Sequence, residues 1–264
     1  MDDRRRTASL DALRDGYLGL CRLAEGQEGV SWGREPDVVW GMLPLPIAAL
    51  NRIMRIQFSA EGADARIRAI ADRYETADVA GTWWLDPESR PADLGDRLER
   101  MGLDAEELPA MRIDSSDVPD LDLPAGATLS WVADPPSMRA ATRLAAAGFG
   151  MPDELGDGIA DLLAPVATPG SPVRTVVAEL DGRPVASALG IGLGEAVAIY
   201  NVATLEEARG RGIGRAVTIA VLRDAMTRGA RFGVLESSDL SHSVYRRIGF
   251  RDVAALRMYR PRNA

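Results

Sequence analysis

The apolar positions of this chain change period as it runs. Over the second half, short alternating runs give way to runs spaced by three and four, and the two kinds take turns. Residues 127–132 (ATLSWV) alternate over the length of a strand. Residues 135–149 (PPSMRAATRLAAAGF) have helical spacing and open with proline, which is tolerated in a first turn. DELGDGIADLLA (153–164) predicts a second helix. RTVVAELD and PVASALGIGL, joined through DGRP (181–184), predict a hairpin. AVAIYNVAT (196–204) predicts a strand. In the helix expected over 213–229, Ile213, Val217, Ala220, Val221 and Ala225 share one face and Gly229 is the stop. A strand (RFGVLES, 231–237), a short helix (LSHSVYRRIG, 240–249) and a last strand (VAALRMYR, 253–260) complete an order β-α-α-β-β-β-α-β-α-β.

The first half is sparser. Residues 1–21 predict an amphipathic helix broken by charge rather than a signal peptide. NRIMRIQFSA (51–60) predicts a strand, residues 63–77 a helix, AGTWWL (80–85) a strand, and residues 91–103 a helix stopped at Gly102. That strand-helix-strand-helix-glycine order repeats the order of residues 196–250, where Gly249 and Phe250 follow the last helix, and it predicts a diverged duplication. IDSSDVPDLDLPAG (113–126) is rich in Asp, Ser and Pro and predicts a linker. The expected organisation is α/β (α+β): a domain over 1–112, a linker over 113–126 and a domain over 127–264.

Composition narrows the possibilities. The chain has 264 residues, 46% of them hydrophobic, and a formal net charge of −8. No apolar run approaches the roughly 18 residues that span a bilayer, so no membrane partner is expected. Cys21 is the sole cysteine, which excludes an internal disulfide and suits a reducing cytoplasm. With His242 the sole histidine, a zinc site lacks ligands, and no metal is expected. The acidic balance argues against long nucleic acid. All 31 basic residues are arginine.

The candidate chemistry lies in ARGRGIGRAVTIAVL (208–222), where Gly210, Gly212 and Gly214 alternate with Arg209, Arg211, Ile213 and Arg215 between a strand and a helix. A P-loop needs a lysine, which this chain lacks. A dinucleotide G-x-G-x-x-G fails because its third glycine position is Arg215 or Val217. What remains is R-x-x-G-x-G, from Arg209 through Gly212 to Gly214. With the element order around it, and with Ser237 or Ser238, Tyr245, Gly249 and Phe250 further on, it resembles motif A and the later segments of the GCN5-related N-acetyltransferase (GNAT) superfamily. The resemblance covers roughly residues 127–260, and the first half would be a degenerate second copy.

The resemblance implies a mixed central sheet with flanking helices and acetyl-CoA as cosubstrate. The pyrophosphate would lie on residues 209–215, where glycines let backbone N–H groups approach an anion at a helix N-terminus. Val202, Ala203 and Thr204 would meet the pantetheine along a strand edge, with Ser238 also at the cofactor. Acyl transfer to an amine needs a neutral amine, a stabilised oxyanion and protonation of the departing thiolate. Tyr245 matches the family tyrosine that often sits by the sulfur. For the base, Glu195, Glu236 and Asp239 are the carboxylates expected near the cleft. His242 reads as a capping or surface residue, Cys21 as core, and Trp83 and Trp84 as packing.

In the first half the loop position holds SAEGADARIRAI, where Glu61 and Asp64 would repel phosphate. One active site per chain is therefore expected. The function expected is transfer of an acetyl group to a primary amine of a small molecule or peptide-like metabolite, by a monomer or homodimer. The alternatives are a non-catalytic acyl-CoA-binding or scaffolding protein and an acyltransferase with a different donor.

Overall fold

A computed structural model describes residues 3–262 of the chain. In chain order its main elements are α1 (Asp3–Leu23), β1 (Ser31–Arg34), β2 (Val39–Met42), β3 (Arg52–Met54), α2 (Ala63–Thr76), β4 (Thr82–Leu85), α3 (Leu94–Arg100) and β5 (Leu103–Asp114). There follow β6 (Ala127–Trp131), α4 (Pro135–Gly148), α5 (Asp153–Leu163), β7 (Val173–Leu180), β8 (Arg183–Leu193), β9 (Ala196–Thr204), α6 (Ile213–Thr227), β10 (Phe232–Glu236), α7 (Asp239–Ile248) and β11 (Arg251–Pro261). Every element expected after residue 126 is present.

The chain divides into two units whose borders differ from the expected 1–112 and 127–264. One unit joins the residues up to Gly19 to Met111–Val253; the other joins Leu20–Ala110 to the residues from Ala254 onward. Both β5 and β11 begin in one unit and end in the other. The expected linker also starts too early, because residues 113 and 114 belong to β5 and a single turn of 3-10 helix follows over Ser115–Asp117. Charged residues over the first part of β5 (DAEE) obscure its strand pattern, and an amphipathic helix such as α1 carries no mark of which core it joins.

In the larger unit the strands lie in the order β5-β10-β9-β8-β7-β6. β6, β7, β8 and β9 are antiparallel neighbours, and β9 and β10 are parallel. Asp181 and Gly182 make the β7–β8 turn with φ of 52° and 76°, the left-handed pair a two-residue hairpin favours. α4 starts in a capping box between Asp134 and Ser137. α6 is buried beyond the expected face, since Ala216, Thr218, Ile219 and Leu222 are enclosed too. Its apolar side chains join Val176, Ala188, Val197, Leu235 and Phe250 in one core.

In the smaller unit the order runs β1-β2-β3-β4-β11, over a core of Ile53, Ile67, Ile70, Leu94, Leu98, Trp83 and Tyr259. Trp83 and Trp84 are 3% and 6% exposed, as packing residues should be. The expected strand over 51–60 shrinks to Arg52–Met54, because Arg55 turns the backbone to φ 49°. β1 and β2 carry no sequence signal, being four residues each with a glycine inside. The repeated order does hold: β3 and β4 are parallel, as β9 and β10 are, and Gly102 and Gly249, at φ 87° and 121°, follow the corresponding helices.

Candidate active site

β9 is nine residues long, yet only Ala196, Val197 and Ala198 pair with β10. On its other side it pairs with β8 as far as Thr204. The backbone of β9 is irregular just beyond, at Asn201. It stands at φ 50°, a left-handed conformation that asparagine tolerates better than most residues, and the β8–β9 register shifts beside it, between Ser187 and Leu189. Val202, Ala203 and Thr204 therefore lie beyond the ladder with β10, on a strand edge whose backbone groups can meet an extended ligand.

The glycine loop follows directly. Gly210 and Gly212 adopt φ of 73° and 81°, where a side chain would be strained. Gly212 is the N-cap residue of α6 and no side chain caps that end. The N–H groups of Ile213, Gly214 and Arg215 in the first turn thus face outward with the positive end of the helix dipole. Gly214 lets α6 approach β9 closely: a Cβ there would come within 3.1 Å of Thr204 Oγ1, which would have to shift by a few tenths of an ångström.

The three arginines divide their roles. Arg209 donates from Nε to the Thr204 carbonyl (3.1 Å) and from Nη2 to the Gly148 carbonyl (2.9 Å), bracing the loop against the ends of β9 and α4. Arg211 is exposed and Arg215 half-buried. Gly148, Asn201 and the Thr204 hydroxyl complete this corner. Sequence reasoning missed Gly148 and Asn201, and the one available signal was an asparagine inside a strand.

β10 ends beside the same edge, since it runs parallel to β9 and Glu236 is its last residue. Glu236 is half-buried. Ser238 is the N-cap residue of α7, exposed, its hydroxyl 3.2 Å from that of Ser241. Tyr245, one turn further on, is 7% exposed and meets Phe250 edge-on with ring centroids 5.7 Å apart. Burial pushes its phenol up to about 12, opposed by a hydrogen bond with Ser241, so the hydroxyl keeps its proton at neutral pH. That bond directs the phenol oxygen toward the first turn of α7.

One expectation changes: Glu195 does not join the site. It sits in the β8–β9 turn, exposed, 3.6 Å from Arg231. Nine residues of strand separate it from Thr204, roughly 30 Å at the rise of an extended chain. His242 caps no helix but lies at the surface, the other role expected of it, with its Nε2 2.8 Å from Asp252 Oδ1. Cys21 is fully buried, as expected. Among the described residues no three His, Cys, Asp or Glu side chains form a metal-binding group, and no helix is long and apolar enough to cross a membrane.

A parallel strand pair that diverges, with an uncapped, glycine-entered helix at the fork, defines an α/β protein with an anion cradle beside an open strand edge. Residues 151–250 match the sequence model of the acetyltransferase (GNAT) family. No curated protein matches the sequence significantly. Among solved structures, the chain is similar to a GCN5-related N-acetyltransferase from Kribbella flavida, with 21% identity, 96% of each chain covered and a TM-score of 0.73. It is also similar to one from Sphaerobacter thermophilus, with 18% identity, 84% of this chain and 76% of that chain covered and a TM-score of 0.61. A tandem GNAT protein from the clavulanic acid biosynthesis pathway shares 12% identity, with 98% of this chain and 95% of that chain covered and a TM-score of 0.58. Residues 151–250 are thus similar to the GNAT family, and the chain as a whole has the fold of these solved GNAT structures, a tandem one among them.

Proposed function

We propose that this protein is an N-acetyltransferase that uses acetyl-CoA to acetylate a primary amine on a small molecule or peptide-like metabolite, at one site in the second half of the chain. The observation that carries this reading is the uncapped N-terminus of α6, entered through left-handed Gly210 and Gly212 and set beside the unpaired end of β9. The residues fit the cosubstrate. The first N–H groups of α6, with Arg211 and Arg215, suit its pyrophosphate. Backbone groups of Val202, Ala203 and Thr204 suit its amide-bearing tail. Acetyl-CoA, when bound, supplies an acyl group already activated on sulfur.

Tyr245 holds its proton at neutral pH and donates a hydrogen bond toward the departing sulfur. With an ordinary thiol near 8.5, full transfer from a phenol near 12 runs uphill by roughly 5 kcal/mol, so the role is electrostatic rather than complete protonation. Of the three carboxylates considered for the base, Glu195 lies at the far end of β9 and Asp239 opens α7 exposed to solvent; Glu236, half-buried at the end of β10, is the group we assign to accept a proton from the amine, directly or through water.

The experiment is a thiol-release assay with acetyl-CoA over a panel of amines, on the wild type and Tyr245→Phe. Losing the donor should lower kcat by about 10- to 100-fold, with little change in the KM for acetyl-CoA. A Phe variant within about threefold of wild type removes Tyr245 from the reaction. Measurable CoA affinity without turnover on any amine favours a non-catalytic acyl-CoA-binding protein, and no CoA affinity sinks the reading altogether.

A further inference from the structure

Two turns flank the open end of β9, and each carries an exposed apolar side chain: Phe149 after α4 and Leu240 at the start of α7. Such a residue is ordinary taken singly, so the way each is held decides its meaning. α4 ends against β9, where a Cβ on Gly148 would come within 2.9 Å of the Ala203 Cβ and 3.4 Å of the Thr204 nitrogen, and the Gly148 carbonyl accepts from Arg209 at 2.9 Å. The chain leaves α4 through a fixed turn. Gly150 is left-handed at φ 71°, its N–H donates to the Ala147 carbonyl at 3.0 Å, and the Met151 N–H donates to the Ala146 carbonyl at 2.8 Å. That turn has one inward place for an apolar side chain, and half-buried Met151 takes it. Phe149 is left 51% exposed and outside the core.

Leu240 stands on the other side. It is the second residue of α7, follows Asp239 and the N-cap Ser238, and is 94% exposed. A first helical turn favours acidic side chains over apolar ones, so leucine gains nothing there from the helix. The next residue is Ser241, whose N–H donates to the Ser238 carbonyl at 3.1 Å and whose hydroxyl bonds the Tyr245 phenol. The charges on the two turns are acidic: Asp153 and Glu154 open α5 and Asp239 opens α7, all exposed. An ammonium is drawn to such a rim before it loses its proton, while Phe149 and Leu240 offer apolar surface beside the groups that hold the cosubstrate and the phenol.

We propose that Phe149 and Leu240 select the acceptor, and that it is a primary amine on an apolar body, an alkyl or arylalkyl amine, rather than a polyhydroxylated or polycationic one. The inference rests on the acetyltransferase reading. The transfer forms a C–N bond to the amine and breaks the C–S bond; the amine gives up one proton and the sulfur gains one, so no further reactant is needed. The test is thiol release from acetyl-CoA by the full chain, with 2-phenylethylamine against 2-aminoethanol and hexylamine against ethylamine, pairs of similar basicity. The apolar member of each pair should have the higher kcat/KM by about 10-fold or more. Phe149→Ser and Leu240→Ser should each cut that ratio by about threefold or more, and Phe149→Leu should keep most of it. The KM for acetyl-CoA and the melting temperature should not move in any of the three, because both side chains are exposed. Equal or reversed preference within the pairs, or serine variants that keep the wild-type ratio, overturns this inference and leaves the acetyltransferase reading standing. No turnover of any amine, with acetyl-CoA bound, sinks both.

Discussion

Arg209 and Arg211 stand two residues apart in one loop and answer to different forces. The guanidinium of Arg209 is bonded to the carbonyls of Thr204 and Gly148, whereas Arg211 is exposed with no hydrogen bond or ion pair among the described residues. Arg209→Ala should cost stability, on the order of 1 kcal/mol once exposure to solvent is discounted, and should weaken CoA binding only through a loosened loop. Arg211→Ala should leave the melting temperature unchanged and weaken CoA binding by about threefold or more, with less dependence on salt. Melting curves and calorimetry on the two variants check this together. If Arg211→Ala destabilises the fold and binds CoA normally, the division of labour is wrong. The motif contains Arg209 alone, and the sequence sets Arg211 and Arg215 beside it at the pyrophosphate without separating their roles, because the bonds of Arg209 run to Gly148, 61 residues away in sequence.

At the scale of elements, α6 and α2 are counterparts in the repeat and differ where an anion would sit. α6 is entered through Gly212 in the left-handed region with its first N–H groups uncapped. α2, likewise without a side-chain cap, is entered through Gly62 at φ −91°, whose N–H donates to the Ser59 hydroxyl at 3.1 Å, while Asp64 pairs with Arg97 at 2.8 Å. We expect one CoA per chain by titration calorimetry, and two equivalent sites would show that the α2 end is intact. The contrast was legible in the sequence as three glycines against one, with Glu61 and Asp64 replacing the arginines. So were the elements after residue 126, where long periodic runs are punctuated by glycine and proline. What stayed hidden depends on the third dimension. Glu195 is adjacent to β9 in sequence, but period alone does not tell which end of a strand faces a site. The divergence of β9 from β10 has an irregular backbone at Asn201 just beyond it, which no periodicity shows, and β1 and β2 are too short to show a period.

For the whole molecule, the halves of the sequence are not the units of the fold. β5 closes the first repeat, yet its last residues belong with Met111–Val253; β11 closes the second, yet its residues from Ala254 onward belong with Leu20–Ala110. A cut in the irregular stretch after Ser115–Asp117, for instance between residues 120 and 121, leaves each fragment without strand residues that its core needs. Expressed alone, neither fragment should melt cooperatively; mixed, they should recover one cooperative transition. Two fragments that each fold alone would refute the exchange. An exchange of strand ends between two copies of one repeat is also what the fusion of two strand-swapped chains would leave. Two identical chains that trade their last strands form a symmetric pair, and a gene fusion that joins the tail of one to the head of the other preserves the trade while freeing each copy to diverge. A fused pair of that kind needs only one glycine loop, and this chain has one, at α6 and not at α2.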